Sequence, residues 1–171
     1  MEEIVILVDS KDNEIGREEK MKAHENGVLH RAFSVFIFNR DGEMLLQQRA
    51  MNKYHSAGLW TNACCSHPRP GETIEEAAHR RLKEEMGFDC QLERKFHFIY
   101  RAEFDNGLIE HEFDHVLFGT YSGRIDFNPD EVANVRWISI EDLREELIKR
   151  PEYYTVWFKI AFEEVDTFLA Q

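Results

Sequence analysis

The sequence has no long apolar run and no basic leader. Its longest purely apolar segment is Ile4 to Val8, much shorter than the ~20 residues of a membrane-spanning helix. The acidic opening Met1-Glu2-Glu3 is unlike the basic start of a signal peptide. We therefore expect a cytoplasmic protein with no membrane partner.

Cysteines are few, with only three in the chain. Cys64 and Cys65 are adjacent and too close for an unstrained mutual bridge, and Cys90 leaves an odd count. The sequence therefore offers no disulfide framework, and free thiols in a reducing compartment are expected.

Positive charge is also scarce: 21 Lys and Arg stand against 33 Asp and Glu, a formal net charge of -12. Such a charge repels nucleic acids and anionic membrane surfaces. We expect neither as a partner. If the ligand is a small anion, the chain must supply cations or a metal locally.

Repeats, low-complexity tracts and Pro/Gly/Ser-rich linkers are absent, so one domain over residues 1–171 is expected. Apolar segments flanking Asp-Gly and Asn-Gly turns predict two hairpins, and a further strand precedes the C-terminal region. The predicted strands are 32–38 with 44–48, 95–104 with 108–118, and 134–138.

Three helices are predicted among these strands. The clearest begins with a capping box of Thr73 and Glu76 and ends at Gly87. The other two are expected near 140–149 and 154–169. Hairpins with interspersed helices indicate an α+β layered domain.

The helix after Thr73 carries two charged residues on its apolar face. At about 100° per residue, Arg81 and Glu85 fall within a stripe of apolar side chains. Burying such a pair is costly unless the charges satisfy each other or bind a ligand. From the helix alone, a structural ion pair and a metal or ligand site both stay open. The stripe comprises Ile74, Ala77, Ala78, Leu82 and Met86.

The segment around this helix resembles the Nudix box, whose helix presents carboxylates to a metal-bound diphosphate. Gly71-Glu72 is followed after seven residues by the run RRLKEEMGF at 80–88. The resemblance implies an α/β/α layered sandwich with a mixed sheet. Two departures argue against pyrophosphate hydrolysis: Arg81 stands where hydrolases carry a glutamate, and the run CCSHP at 64–68 replaces a glycine-rich segment.

The run TNACCSHP at 61–68 resembles the cysteine motif of type I isopentenyl-diphosphate isomerases. HRAFS at 30–34, YRA at 100–102 and EHE at 110–112 are similar to other blocks of that family, in the same order. The blocks extend from about residue 20 to Trp157, nearly the whole chain. The resemblance implies isomerisation of isopentenyl diphosphate to dimethylallyl diphosphate, a small-molecule substrate.

The resemblance also implies roles for individual residues. Cys65 and Glu112 would carry protons on opposite faces of the substrate, Tyr100 would relay a proton, and Trp157 would stabilise a carbocation. Glu85 would help to bind Mg²⁺ on the substrate diphosphate. The diphosphate itself would contact Lys20, Arg49, Lys53 and Arg81. A second divalent ion, Mn²⁺ or Zn²⁺, would be held by His24, His30, His67, Glu110 and Glu112.

The chemistry of these ligands suits such an ion, because imidazoles and carboxylates bind borderline metals. With a period of two, Glu110 and Glu112 share one strand face and His111 points away. A solvated strand face is the alternative, because Asp114 continues the acidic row. Residues without motif support are expected to be structural: Cys64, Cys90, His55, His79, His97, His111 and His115.

Two other functions stay open. A Nudix pyrophosphohydrolase would release phosphate, and a catalytically silent domain that binds a diphosphate would tolerate replacement of Cys65. Neither requires Cys65 together with Tyr100 and Glu112. A monomer or weak homodimer is expected.

Overall fold

The fold is described from a computed structural model that covers residues 3–53 and 55–171. Within these ranges the chain forms strands and helices in alternating groups, and no helix is long and apolar enough to cross a membrane. The strands are β1 (Ile4–Val8), β2 (Glu14–Glu19), β3 (His30–Phe38), β4 (Met44–Arg49), β5 (Trp60–Asn62), β6 (Cys64–Ser66), β7 (Leu92–Glu103), β8 (Ile109–Thr120) and β9 (Val132–Ile138). The α-helices are α1 (Lys20–Asn26), α2 (Ile74–Met86), α3 (Ile140–Lys149) and α4 (Val156–Leu169).

Strand β3 lies at the centre of a mixed sheet. It runs parallel to β8, with His30 opposite Glu112 at one end and Phe38 opposite Thr120 at the other. Its pairings with β1, β4 and β6 are antiparallel, and β7 continues the sheet beyond β8. Strands that precede and follow α2 in the sequence are therefore brought together around β3.

The two faces of β3 contact different helices because its side chains alternate. Phe33, Val35 and Ile37 pack in the core beneath α2, whereas Phe36 packs in a second core with Phe158 of α4. Helices therefore cover both faces of the mixed sheet, and the predicted α/β/α sandwich of the α+β class is confirmed.

Helix α2 forms as its sequence predicts. Thr73 and Glu76 make the reciprocal capping box, and the apolar stripe is buried. Gly87 ends the helix with φ 71°, and a Cβ there would lie 2.0 Å from the carbonyl oxygen of Asp126. Only glycine fits this position, so the loop after β8 packs tightly against the end of the helix.

The hairpins, the strand before α3 and all three predicted helices are confirmed, with bounds shifted by a few residues at most. Five elements had no sequence prediction: β1, β2, α1, β5 and β6. They are short, and their stability comes from pairing with distant strands. Two of them carry site residues, because Lys20 and His24 lie in α1 and Cys65 lies in β6.

Candidate active site

A cavity of about 700 Å³ lies beside β3, bounded by segments from the N-terminus to α4. His30 is fully buried and does not line this cavity. Every other residue assigned to the site from the sequence does line the cavity. These lining residues are Lys20, His24, Arg49, Lys53, Cys65, His67, Arg81, Glu85, Tyr100, Glu110, Glu112 and Trp157.

Four buried side chains converge at one end of the cavity. The ligand atoms of His24, His30, His67 and Glu112 all lie within 4.8 Å of one another. Glu112 Oε2 is 2.8 Å from His67 Nε2 and 3.2 Å from His30 Nε2. Two ligands held at roughly 2.1 Å from one ion are at most about 4.2 Å apart, so a small contraction would let the four bind a single metal.

The outer partners of these imidazoles also suit a metal. His30 Nδ1 donates to the carbonyl oxygen of Val28 at 2.9 Å, which leaves the Nε2 lone pair facing the cluster. His67 Nδ1 lies 3.8 Å from Glu3 Oε1. Among the described residues, the buried His24 Nε2 has no hydrogen-bond partner. An unpartnered buried nitrogen at this position fits a metal ligand.

Glu110 lies next to this cluster and is joined to it through Tyr100. The Tyr100 hydroxyl is 2.9 Å from Glu110 Oε1 and 2.6 Å from Glu112 Oε1. A hydroxyl has one hydrogen, so both bonds form at once only when one carboxyl group is protonated. Burial and the charge of Glu112 raise the pKa of Glu110, which makes Glu110 the protonated partner.

The charges of Glu112 and His67 support each other. Burial opposes ionisation of Glu112, but His67 and His30 together hold its pKa well below the usual range. Burial also disfavours the His67 cation, yet Glu112 and Glu3 outweigh it and raise the pKa of His67 to about 9. The acidic row on β8 is buried, including Asp114, so the alternative of a solvated strand face is wrong.

The Cys65 thiol lies among hydrogen-bond acceptors. Its Sγ donates to Asn62 Oδ1 at 3.0 Å and lies 3.6 Å from Ser34 Oγ, which itself donates to Asp114 at 2.7 Å. Asn62 Nδ2 donates to two carbonyl oxygens, so the Oδ1 atom must face the thiol. Burial and the charge of Asp114 raise the pKa of Cys65. The surroundings therefore keep this sulfur protonated.

Ser34, Asn62 and Asp114 were not assigned to the site from the sequence. Ser34 and Asn62 lie inside the quoted motifs, which is the signal that could have found them. Asp114 continues the period-two row of Glu110 and Glu112, and its burial could not be read from that row. Its Oδ1 atom is buried without a partner among the described residues.

Apolar and aromatic side chains adjoin the thiol. Cys65 packs against a small cluster of Tyr100, Ala102 and Trp157. The Arg49 guanidinium lies over the Trp157 ring, 5.0 Å from its centroid, and His55 meets the same ring edge-on at 5.7 Å. The ring of Trp157 already attracts one cation, as an electron-rich face should.

Lys53 and Arg81 lie in a second region of the cavity, called here the basic end, where both are within ion-pair distance of Glu131. Arg81 pairs with Glu85 at 3.2 Å, so the structural ion pair exists, but both residues also line the cavity. Glu85 further accepts from Cys64 Sγ at 3.1 Å and Gln47 Nε2 at 3.2 Å. Burial raises the pKa of Glu85 against the effect of Arg81. The hydrogen bond from the Cys64 thiol therefore helps to fix the position of the Glu85 carboxyl group.

Several further residues line the cavity without having been assigned to the site. Arg69, Arg80 and Glu131 lie near the basic end, and His55 contacts Trp157. The remaining unassigned histidines have partners elsewhere: His79 with Asp89, His111 with Gly27, His115 with Asp12, and His97 stacked on Phe113. Basic side chains are therefore present in the cavity of this acidic protein.

The chain is similar to a known domain family and to named enzymes. A family profile described as the NUDIX domain matches residues 28–158. The chain is 52% identical over 165 residues to Isopentenyl-diphosphate Delta-isomerase 2 of Aromatoleum aromaticum, across 96% of this chain and 87% of that relative. It is 54% identical over 159 residues to Isopentenyl-diphosphate Delta-isomerase 2 of Photorhabdus laumondii, across 93% of this chain and 90% of the relative.

A solved structure shares the fold at lower identity. DR0079 from Deinococcus radiodurans superposes with a TM-score of 0.72 at 21% identity, over 86% of this chain and 90% of that one. This likeness concerns the fold alone. The NUDIX match and the identity of more than half with two named isomerases together show that the chain belongs to the isopentenyl-diphosphate Delta-isomerases of the Nudix family.

Proposed function

We propose that this protein isomerises isopentenyl diphosphate to dimethylallyl diphosphate, with Cys65 and Glu112 as the proton carriers. The observation that carries the proposal is that one cavity holds a protonated thiol, a carboxylate bonded to Tyr100 and a cluster of potential metal ligands. A hydrolase needs neither the thiol nor the tyrosine.

The reaction adds a proton at one carbon and removes a proton two bonds away. An unactivated alkene is a weak base, so the acid must be positioned closely and water must be excluded. Cys65 holds a proton against Asn62, whereas Glu112 is an ionised carboxylate that accepts the hydrogen bond of the Tyr100 hydroxyl. One group donates and the other accepts, on opposite faces of the substrate.

The positive charge that develops on the substrate needs a partner that does not react with it. Trp157 lies in the apolar cluster that contacts Cys65, and its ring face attracts cations without offering a lone pair for bond formation. We therefore assign carbocation stabilisation to Trp157, with Arg49 holding the ring from the diphosphate side.

The diphosphate end is assigned to Lys20, Arg49, Lys53 and Arg81, whose cations line the cavity. Glu85 would hold Mg²⁺ that accompanies the substrate. Mn²⁺ or Zn²⁺ would be held by His24, His30, His67, Glu110 and Glu112. A bound divalent ion supplies charge that orients Glu112 and tunes its acidity. Chelation should abolish turnover, and added metal should restore it.

The whole chain is proposed to act as one catalytic domain. Glu3, Lys20 and His24 line the cavity although they lie outside the segment that matches the NUDIX profile. The cysteines are free, which suits a reducing cytoplasm. We further propose a monomer or weak homodimer, which sedimentation of the purified protein would test.

The deciding experiment incubates the purified protein with isopentenyl diphosphate in deuterated water. Dimethylallyl diphosphate that carries deuterium would support the proposal. Release of phosphate without isomerisation would replace it with the hydrolase, and substrate binding without either product would favour a silent diphosphate-binding domain.

A further inference from the structure

Glu131 brings a carboxylate into the basic end of the cavity. It lies just before β9, lines the cavity and forms an ion pair with Lys53. Its Oε2 atom also lies 3.9 Å from Arg81 Nη2. Lys53 and Arg81 are two of the cations assigned to the substrate diphosphate. Glu131 therefore contacts the same positive groups that the ligand would need.

The backbone of Glu131 is fixed, whereas its side chain has access to solvent. Its N–H donates to the carbonyl oxygen of Asn128 at 3.0 Å, and its own carbonyl oxygen accepts from Ala50 N–H at 3.1 Å. The side chain is 29% exposed. The carboxylate can turn towards water by side-chain rotation alone, without any change in the loop.

Carboxylate and phosphate oxygens bind lysine and arginine through the same charge-assisted hydrogen bonds. They therefore exclude each other from one pair of cations, since two anions close together repel. We infer that Glu131 holds the place of a phosphate oxygen at Lys53 and Arg81, and that the substrate diphosphate displaces it on binding. This inference rests on the proposed function, in which this end of the cavity binds the diphosphate.

Such a displaced anion would weaken the binding of substrate and product alike. Both molecules carry the same diphosphate, so the competition changes their dissociation constants by the same factor. An interaction that is equal in ground state and transition state alters KM without altering the chemical step. Glu131 would thus set how readily the product leaves.

The experiment compares Glu131→Gln with Glu84→Gln. Glutamine keeps the shape of the side chain and removes its charge. Glu84 is the matched control, because its carboxylate also pairs with Arg81, at 2.8 Å, but does not line the cavity. Binding of inorganic pyrophosphate to each full-length protein is measured by calorimetry in a buffer that contains Mg²⁺.

We expect Glu131→Gln to bind pyrophosphate roughly threefold to tenfold more tightly than the unchanged protein, the scale of one or two partly exposed ion pairs. Glu84→Gln should stay within about twofold. The gain should shrink at high salt, because screening weakens charge competition.

Three outcomes would overturn the inference. Unchanged or weaker binding by Glu131→Gln would do so, and weaker binding would identify the carboxylate as a magnesium ligand instead. Equal gains in both variants would show a general charge effect. If neither the unchanged protein nor Glu131→Gln binds pyrophosphate, the diphosphate site of the proposed function fails as well.

Discussion

Individual side chains in this site are held by partners that fix where each proton lies. Asn62 cannot reverse its amide, because two carbonyl oxygens accept from its Nδ2. The Cys65 proton therefore points to an acceptor of known identity. On the other side, the Tyr100 hydroxyl lies within hydrogen-bonding distance of both Glu110 and Glu112, and it donates to Glu112 when Glu110 is protonated. The partners of the two proposed proton carriers are thus in place in the ligand-free site.

Removing either proton carrier should stop the reaction and spare the fold. We expect Cys65→Ala and Glu112→Gln each to lose roughly 100-fold to 10,000-fold in kcat, the usual contribution of a positioned acid or base. Deuterium incorporation into dimethylallyl diphosphate measures the rate, and circular dichroism checks the fold. Full activity in either variant would refute the role assigned to that residue.

The hydroxyl of Ser34 should act through Cys65. Ser34→Ala removes one of two acceptors near the thiol, and we expect kcat to fall roughly fivefold, equivalent to one hydrogen bond, with KM unchanged. Ser34→Thr retains the hydroxyl and should recover most of the loss in steady-state assays. Equal losses in both variants would mean that packing, and not the hydroxyl, is what matters.

Metal binding should release a proton at neutral pH. The pKa of His67 is raised to about 9, so its imidazole is protonated at pH 7 and must lose that proton before binding a cation. Affinity should rise by up to about tenfold per pH unit between pH 7 and 9 and level off above that range. Calorimetry in buffers of different ionisation enthalpy counts the protons. No proton release at pH 7 would contradict this view of His67.

At the scale of elements, the site depends on the end of α2 and the loop that packs on it. Gly87→Ala would place a Cβ against the Asp126 carbonyl oxygen. It would also require an alanine to adopt the positive φ of this position. We expect a loss of about 3 kcal/mol in the free energy of unfolding, measured with urea. Gly42→Ala is the control, because its φ is 76° with no atom within 4 Å, so about 1 kcal/mol is expected. Equal losses would mean that the contact with Asp126 is unimportant.

Local signals in the sequence were enough for the hairpins and for α2. Asp-Gly, Asn-Gly and the capping box act over a few residues, so their effect does not depend on the rest of the chain. The parallel pairing of β3 with β8 could not be predicted this way. It joins His30 to Glu112 across 82 positions, and such pairings follow from the packing of the whole sheet.

The residues that line the cavity were predictable for a different reason. They belong to short sequence motifs that occur in the same order as in the family. The distances between their side chains, however, could be obtained only from the folded structure. Glu131 and Asp114 show the limit. Each is one of 33 acidic residues in the chain. Only the folded structure, which places Glu131 beside Lys53 and Asp114 beside Ser34, connects them with the site.

At the scale of the whole molecule, charge is distributed unevenly. The chain has a formal charge of -12, yet six of its 21 basic residues line the cavity. They are Lys20, Arg49, Lys53, Arg69, Arg80 and Arg81. Five glutamates line the cavity as well, so its charge is nearly balanced, and an anion is repelled less there than at the strongly negative outer surface.

The four convergent ligands come from α1, the start of β3, the segment after β6 and β8. They are drawn from positions 24 to 112, and their register is set only when β3 and β8 align. An ion shared by all four would bind the folded chain and not the unfolded one, so its binding free energy would add to the free energy of unfolding. The catalytic centre would then also stabilise the fold that positions its ligands.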